Sequence, residues 1–211
     1  MYYSNNNIIN KPPNSFSFTT FYLKLYFFLK ICKKHSIIFI NVLKFNLSIK
    51  IRKDDIMFKE MRLKKREMTK EDTVEVLKNG EFGTFSTISE NGYPYGVAVN
   101  YVYFNDSIYF HCARNGHKLD NISKNNKVSF LVVANESVIP DKFSTTYSSA
   151  IVFGKACTVE NEEKKNALVE IIKKYSKGFF EEGMKYIEKD MNLTTVVKIE
   201  IDHISGKASR L

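Results

Sequence analysis

The run Ala113-Arg114-Asn115-Gly116-His117-Lys118 has the residue types of an anion seat. An apolar, strand-like segment precedes it and helical spacing follows, so it falls at a strand-to-helix corner. The first N–H groups of a helix have no partner inside it, and the helix dipole favours negative charge beside them. Gly116 lets a ligand approach the backbone closely. Lys118 supplies a fixed positive charge, and His117 offers ring N–H donors. Together they could hold a phosphate. Glycine and lysine also serve turn geometry and solubility at corners that bind nothing, so the corner needs independent support.

Other residues are open to two readings. Asn100 sits in the otherwise apolar run Val97-Ala98-Val99-Asn100-Tyr101-Val102. A buried amide there needs partners, either backbone at a barrel rim or a planar ring. Thr145-Thr146-Tyr147-Ser148-Ser149 could surround a polar ligand with hydroxyls, or form a polar loop leading into a strand. His111 follows Tyr109 and Phe110 and reads first as a satisfied core or rim histidine, as does His203. The cysteines, Cys32, Cys112 and Cys157, are odd in number and form no CxxC pair. Neither a metal site nor a disulfide framework is expected, and Cys112 and Cys157 read as small buried hydrophobes of a protein in a reducing cytoplasm. HExxH, Walker, GxGxxG and GxSxG patterns are all missing, and no catalytic residue is assigned.

The elements that must position these residues follow from pattern. Thr69 can cap a helix through its hydroxyl, with Glu71 and Asp72 near the positive helix end and Gly80 as the stop. Residues 82–89, 93–104 and 107–113 read as strands joined by turns at Glu90-Asn91-Gly92 and Asn105-Asp106, an antiparallel meander. A short helix is predicted over 117–125 and a strand over 127–134. A polar loop with Pro140 follows, then a strand over 148–159 with a bulge or close approach at Gly154. Helices over 162–175 and 180–191 precede a last strand over 194–203. Strands in hairpin series argue for an antiparallel α+β barrel rather than a parallel sheet.

Several blocks in order resemble the pyridoxamine 5′-phosphate oxidase-related superfamily, most closely its nitroimidazole-resistance (Nim-type) flavin-nucleotide-binding branch. They are Gly92-Tyr93-Pro94-Tyr95 with Val99–Tyr103, Ile108–Ala113, Gly116–Ile122 and Ser149–Ala156. Met61–Lys65 resembles how that branch begins and Ile204–Lys207 how it ends. The resemblance covers about residues 57–211. It implies a six-stranded antiparallel split β-barrel, dimeric, with FMN at the subunit interface. It implies that Gly116, His117 and Lys118 hold the FMN phosphate and that Val97, Val99 and Asn100 line the isoalloxazine. Thr145, Thr146 and Ser149 add polar contacts, and the strand block brings His111 and Cys112 into the candidate set. FAD, haem and deazaflavin are the alternative cofactors within the superfamily. The chain departs from pyridoxamine phosphate oxidase itself in having no Trp and no Arg-rich C-terminal substrate segment.

The expected activity is a flavin-dependent oxidoreductase that takes hydride from NADH or NADPH and reduces an acceptor such as a 5-nitroimidazole. The alternative is a non-catalytic flavin or haem binder in storage, sensing or detoxification. The net charge of +9 invites a nucleic-acid reading, but nine of the basic residues lie in residues 1–56 against Asp54 and Asp55 alone. Bulk charge of that kind is weak evidence, and no nucleic-acid partner is expected. Residues 1–56 contain no Gly, Ala, Glu or Trp and are rich in Asn, Lys, Ile, Phe and Tyr. They are expected to precede the true start at Met57 or Met61. Their apolar pieces are too short and too interrupted by lysine for a spanning helix, so no membrane partner is expected.

Overall fold

The computed structural model describes residues 58–210, and the expectations for the leader lie outside them. Helix α1 (Lys70–Asn79) starts where Thr69 Oγ1 accepts a hydrogen bond from Asp72 N at 3.1 Å. It buries Thr73, Val76 and Leu77 against the sheet. The hairpin of β1 (Phe82–Ile88) and β2 (Pro94–Asn100) turns at Gly92, whose φ of 84° suits a residue without a side chain. Then come β3 (Val102–Phe104) and β4 (Ser107–Ala113), joined through Asn105 and Asp106, both at positive φ. Helix α2 (His117–Lys124) leads to β5 (Lys127–Ile139) and β6 (Ser144–Val159). Helices α3 (Asn161–Tyr175) and α4 (Phe180–Asp190) precede β7 (Thr194–Ser209).

The sheet order is β2-β1-β5-β6-β7-β4-β3, and every pairing is antiparallel. Strands β2 and β3 form opposite edges, yet only Tyr101 separates them in the chain. The sheet must therefore curl until its edges meet. The extended segment expected over 93–104 breaks at this residue, giving seven strands where six were expected. Tyr101 is fully buried, and its hydroxyl donates to Leu77 O at 2.7 Å. Its backbone, outside both edge ladders, is satisfied from α3. Its N–H donates to the Tyr175 hydroxyl at 3.0 Å, and its carbonyl accepts from Lys174 Nζ at 3.1 Å.

Phe85, Phe110, Phe130, Val132, Val152, Val197 and Ile199 fill the barrel with Leu77 of α1 and Ile122 of α2. A second cluster packs α3 and α4 on the outer wall, through Ala167, Leu168, Ile171 and Ile187 against Val102, Tyr109 and Val196. Gly154 sits at a register shift opposite β7, where a Cβ would strike the Glu200 carbonyl. The polar stretch expected as a loop over 135–147 is instead the end of a long hairpin. Strands β5 and β6 pair as far as Ile139 and Ser144, past a bulge between Ala134 and Ser137. Pro140 opens the turn, and Phe143 closes it in the left-handed region. Strand β7 likewise runs beyond His203, because its partner β6 extends alongside it to Tyr147.

Candidate functional site

Helix α2 closes one end of the barrel and presents the Gly116 corner there. Gly116 adopts φ 145°, ψ 161°, a region nearly restricted to glycine, and accepts from the N–H groups of Leu119 (2.8 Å) and Asp120 (3.2 Å). The N–H groups of His117 and Lys118 are the first of the helix and have no intrahelical acceptor. Apart from its chain neighbours, no residue comes within 4 Å of where a Gly116 Cβ would stand, so the backbone is open to a ligand. The Lys118 charge is close enough to Cys112 to oppose the upward push that burial gives that thiol. Free N–H groups at a helix start, an open glycine and a lysine form a donor set suited to a phosphate.

His117 is not free to swing. Its Nε2 lies 3.1 Å from Ser89 Oγ, and its ring lies against Tyr95, tilted by 39° with centroids 4.2 Å apart. Buried Asn121, one helical turn on, donates to Thr87 Oγ1 at 2.9 Å and Ser89 Oγ at 3.3 Å. Thr87 Oγ1 in turn donates to Tyr95 O at 3.4 Å. This network ties the corner to the β1–β2 hairpin, and none of its four partners stood among the candidate site residues read from sequence. The available signal was polarity at inward positions of β1, where Thr87 and Ser89 continue the buried series begun by Gly83 and Phe85.

The remaining candidates are spread over the barrel. Val97 and Val99 pack against the core, so a ligand on the outer face meets only the backbone of these two residues. The outward residues of β2 are Gly96, Ala98 and Asn100, with Ser86 and Thr84 of β1 directly opposite Gly96 and Ala98. These four residues carry no large side chain, so the outer face here is a strip of low relief. Asn100 Nδ2 donates to Glu81 O at 3.1 Å, the rim-to-backbone alternative. His111 is exposed on β4, opposite Val196, whereas Cys112 packs on the core.

Thr145, Thr146 and Ser149 lie at the other end of the sheet. Thr146 Oγ1 donates to Ser137 O at 3.4 Å and Ser149 Oγ to Lys207 O at 3.3 Å, while Thr145 is exposed. The corner lies near the level where Lys127 pairs with Lys155, and Thr145 pairs with Val138 far along the same ladder. At about 3.3 Å per residue these levels are roughly 35 Å apart. One chain therefore does not bring the two groups of residues together. A cavity of about 750 Å³ lies beside α2, lined by Arg114, Leu119, Ser123, Lys127, Cys157 and others, but not by Gly116, His117 or Lys118. No helix among the described residues is long and apolar enough to cross a membrane.

A family model described as pyridoxamine 5′-phosphate oxidase matches residues 69–208. Among solved structures, the chain is similar to a candidate 5-nitroimidazole antibiotic resistance protein from Bacteroides thetaiotaomicron. Identity is 25% and the TM-score 0.59, over 67% of this chain and 86% of that one. It is also similar in fold to a conserved hypothetical protein from Mycobacterium tuberculosis, with 20% identity and a TM-score of 0.61 over 71% and 90%. A FAD- and haem-binding protein from Mycobacterium smegmatis shares the fold at 18% identity and a TM-score of 0.61, over 69% and 74%. No curated protein matches the chain significantly.

Proposed function

Since the chain belongs to the pyridoxamine 5′-phosphate oxidase family, we propose that it binds a flavin nucleotide, FMN, and serves as a flavin-dependent oxidoreductase. One observation carries the reading. The open Gly116 backbone, the first N–H groups of α2 and Lys118 form an anion seat, and the small-residue Gly96–Ala98 strip runs outward from the same barrel end. In this reading the phosphate takes the seat and the ring lies along the outer face of β2. His117 and Tyr95 hold the seat's shape.

The bound flavin would supply hydride and electron transfer between a nicotinamide donor and an acceptor. The residues present bind and orient it. The similarity to a candidate nitroimidazole resistance protein favours a nitroaromatic acceptor. The distance between the corner and Thr145–Ser149 favours a homodimer, in which a second copy brings its hairpin to the seat. An apolar ladder on the outer face supports such a contact: Leu131 pairs with Ile151, and Val133 and Phe153 stand beside them, all exposed in the single chain.

The test is the absorption spectrum of the purified protein, followed by anaerobic addition of NADH or NADPH. Bound flavin that bleaches rapidly supports the oxidoreductase. Bound flavin that stays oxidised with both donors favours a carrier or sensor. A protein that retains no flavin and gives a Soret band with haem overturns the assignment.

A further inference from the structure

We propose that the cavity beside α2 is a second anion site, separate from the Gly116 seat, that takes a diphosphate group of the kind a nucleoside diphosphate carries. Its cations come from three segments. Arg114 follows the last residue of β4, Lys124 ends α2, and Lys127 opens β5. Thr158 near the end of β6, Thr195 near the start of β7 and Ser123 of α2 add hydroxyls.

The positive charge there is not answered within the chain. Among the described residues no ion pair involves Arg114, Lys124 or Lys127. Glu160 is the one carboxylate among the lining residues, and it accepts from Lys164 Nζ at 3.0 Å. Lys124 stands in the last turn of α2, where the negative helix end offsets part of its charge. Lys127 has no such relief. Its direct partner across the β5–β6 ladder is Lys155, and like charges directly opposite one another destabilise a sheet. Lys155 has Glu200 opposite it on β7, whereas β1 pairs with β5 only over Ser129–Leu131 and offers Lys127 nothing. A bound anion would relieve this arrangement, and Arg114 can meet a phosphate with two parallel N–H donors.

Size and spread narrow the ligand. The volume of about 750 Å³ is in the range of small-molecule sites, and a single phosphate would leave most of it empty. Two linked phosphates can reach cations on different segments. Leu119, Ile122 and Ala156 supply an apolar floor on which a nucleoside could lie.

The cavity and the seat use different flanks of α2. His117 and Asn121 face the β1–β2 hairpin. Leu119 and Ser123, each two residues further on and so roughly 200° around the helix, line the cavity. Leu131, Val133, Ile151, Phe153 and the tip of the β5–β6 hairpin, which the proposed dimer covers, contribute nothing to its lining. The site is built from one chain and does not rest on the flavin reading.

The test is calorimetric titration of the purified protein with ADP, inorganic pyrophosphate, orthophosphate and adenosine, each with and without excess FMN. The two diphosphates are expected to bind at least tenfold more tightly than orthophosphate or adenosine, and FMN should not change their affinities. ADP tighter than pyrophosphate identifies a nucleotide as the source of the group, and pyrophosphate at least as tight as ADP identifies free diphosphate. Lys124→Ala and Lys127→Ala should each weaken the diphosphates about tenfold, the lower end of what a charge-assisted hydrogen bond supplies, because the cavity is open to screening salt. Neither variant should change FMN affinity, and Lys165→Ala on exposed α3 should leave both ligands unaffected. Orthophosphate or adenosine as tight as the diphosphates overturns the ligand assignment. Diphosphate that FMN displaces lies in the Gly116 seat and overturns the second site, as does undiminished binding in folded Lys124→Ala and Lys127→Ala. A protein that takes no FMN defeats the flavin reading, while the titrations without FMN still decide this one.

Discussion

Ser89 Oγ and His117 Nε2 lie 3.1 Å apart and join the end of the first strand to the first residue of the helix that closes the barrel. The contact spans 28 residues of sequence. In the proposed seat the charge then falls to Lys118 and the donors to the helix backbone. His117 acts there as a brace, clamped between a hydroxyl and the Tyr95 ring.

Asn121 is the buried hub of that brace, with both Thr87 and Ser89 as acceptors. Asn121→Ala leaves two buried hydroxyls short of a donor, at a cost of about 1–3 kcal/mol. Urea denaturation should show a lower midpoint at unchanged slope. Loss of less than the error of the measurement would mean that water replaces the amide freely.

Lys118→Ala removes a charge facing the proposed phosphate without touching the brace. Flavin affinity should fall about ten- to a hundredfold, the range of one charge-assisted hydrogen bond, with the melting temperature of the flavin-free protein unchanged. Equal flavin affinity in the variant would place the phosphate elsewhere.

Gly116→Ala separates conformation from crowding. A Cβ meets nothing within 4 Å, so any cost comes from φ 145° alone. That backbone region costs a side-chain-bearing residue about 1–3 kcal/mol. The variant should lose stability by that amount and bind flavin more weakly as the corner relaxes. A variant as stable as the parent would show that the corner readily adopts another backbone.

The corner was legible because everything that defines it is local: a strand, a glycine, a lysine and helical spacing within ten residues. Thr69 and Gly154 were legible for the same reason, one as a cap and the other as a close approach. The brace was not, because Ser89 and Asn121 meet only when the helix folds over the barrel. The break at Tyr101 was hidden within a continuous alternating pattern and is imposed by the curl of the sheet. The hairpin tip over 135–147 read as a loop because its composition is polar, although its backbone pairs as far as Ile139 and Ser144. The inward aim of Val97 and Val99 follows from the period of two in β2 once Tyr101 is known to be buried.

Lys174 gives the stability a defined pH dependence. Its Nζ donates to Gly80 O at 2.6 Å and lies 4.2 Å from the Tyr101 ring centroid. Burial lowers its pKa from 10.5 to about 8. Between those values the unfolded chain binds a proton that the folded chain lacks, so stability rises as pH climbs through that window. Tyr101 and Tyr175, both pushed up by burial, act in the opposite sense only above the ordinary phenol range. Denaturation midpoints should increase from pH 8 to 10, and Lys174→Met should flatten the increase. A parent protein whose midpoint falls over that interval would contradict the assignment.

The outer face of the sheet offers the last test, because it separates the dimer from the flavin seat. Leu131 and Ile151 are directly paired, 38% and 40% exposed, with Val133 and Phe153 beside them. A contiguous apolar strip on an exposed sheet face marks an association surface more often than isolated apolar residues do. Leu131→Glu puts a carboxylate at the middle of that strip and leaves the barrel core untouched, since the side chain points outward. In a dimer built on this face, the buried and unpaired charge costs several kcal/mol. Sedimentation should show a dimer for the parent and a folded monomer for the variant. Flavin content should fall with the monomer, because the seat then lacks the hairpin of a second copy. A dimeric variant would move the interface to another face. A monomer that keeps its flavin at full affinity would show that one chain's corner and strip suffice, leaving the distant hydroxyls of Thr145 and Ser149 without a part in binding it.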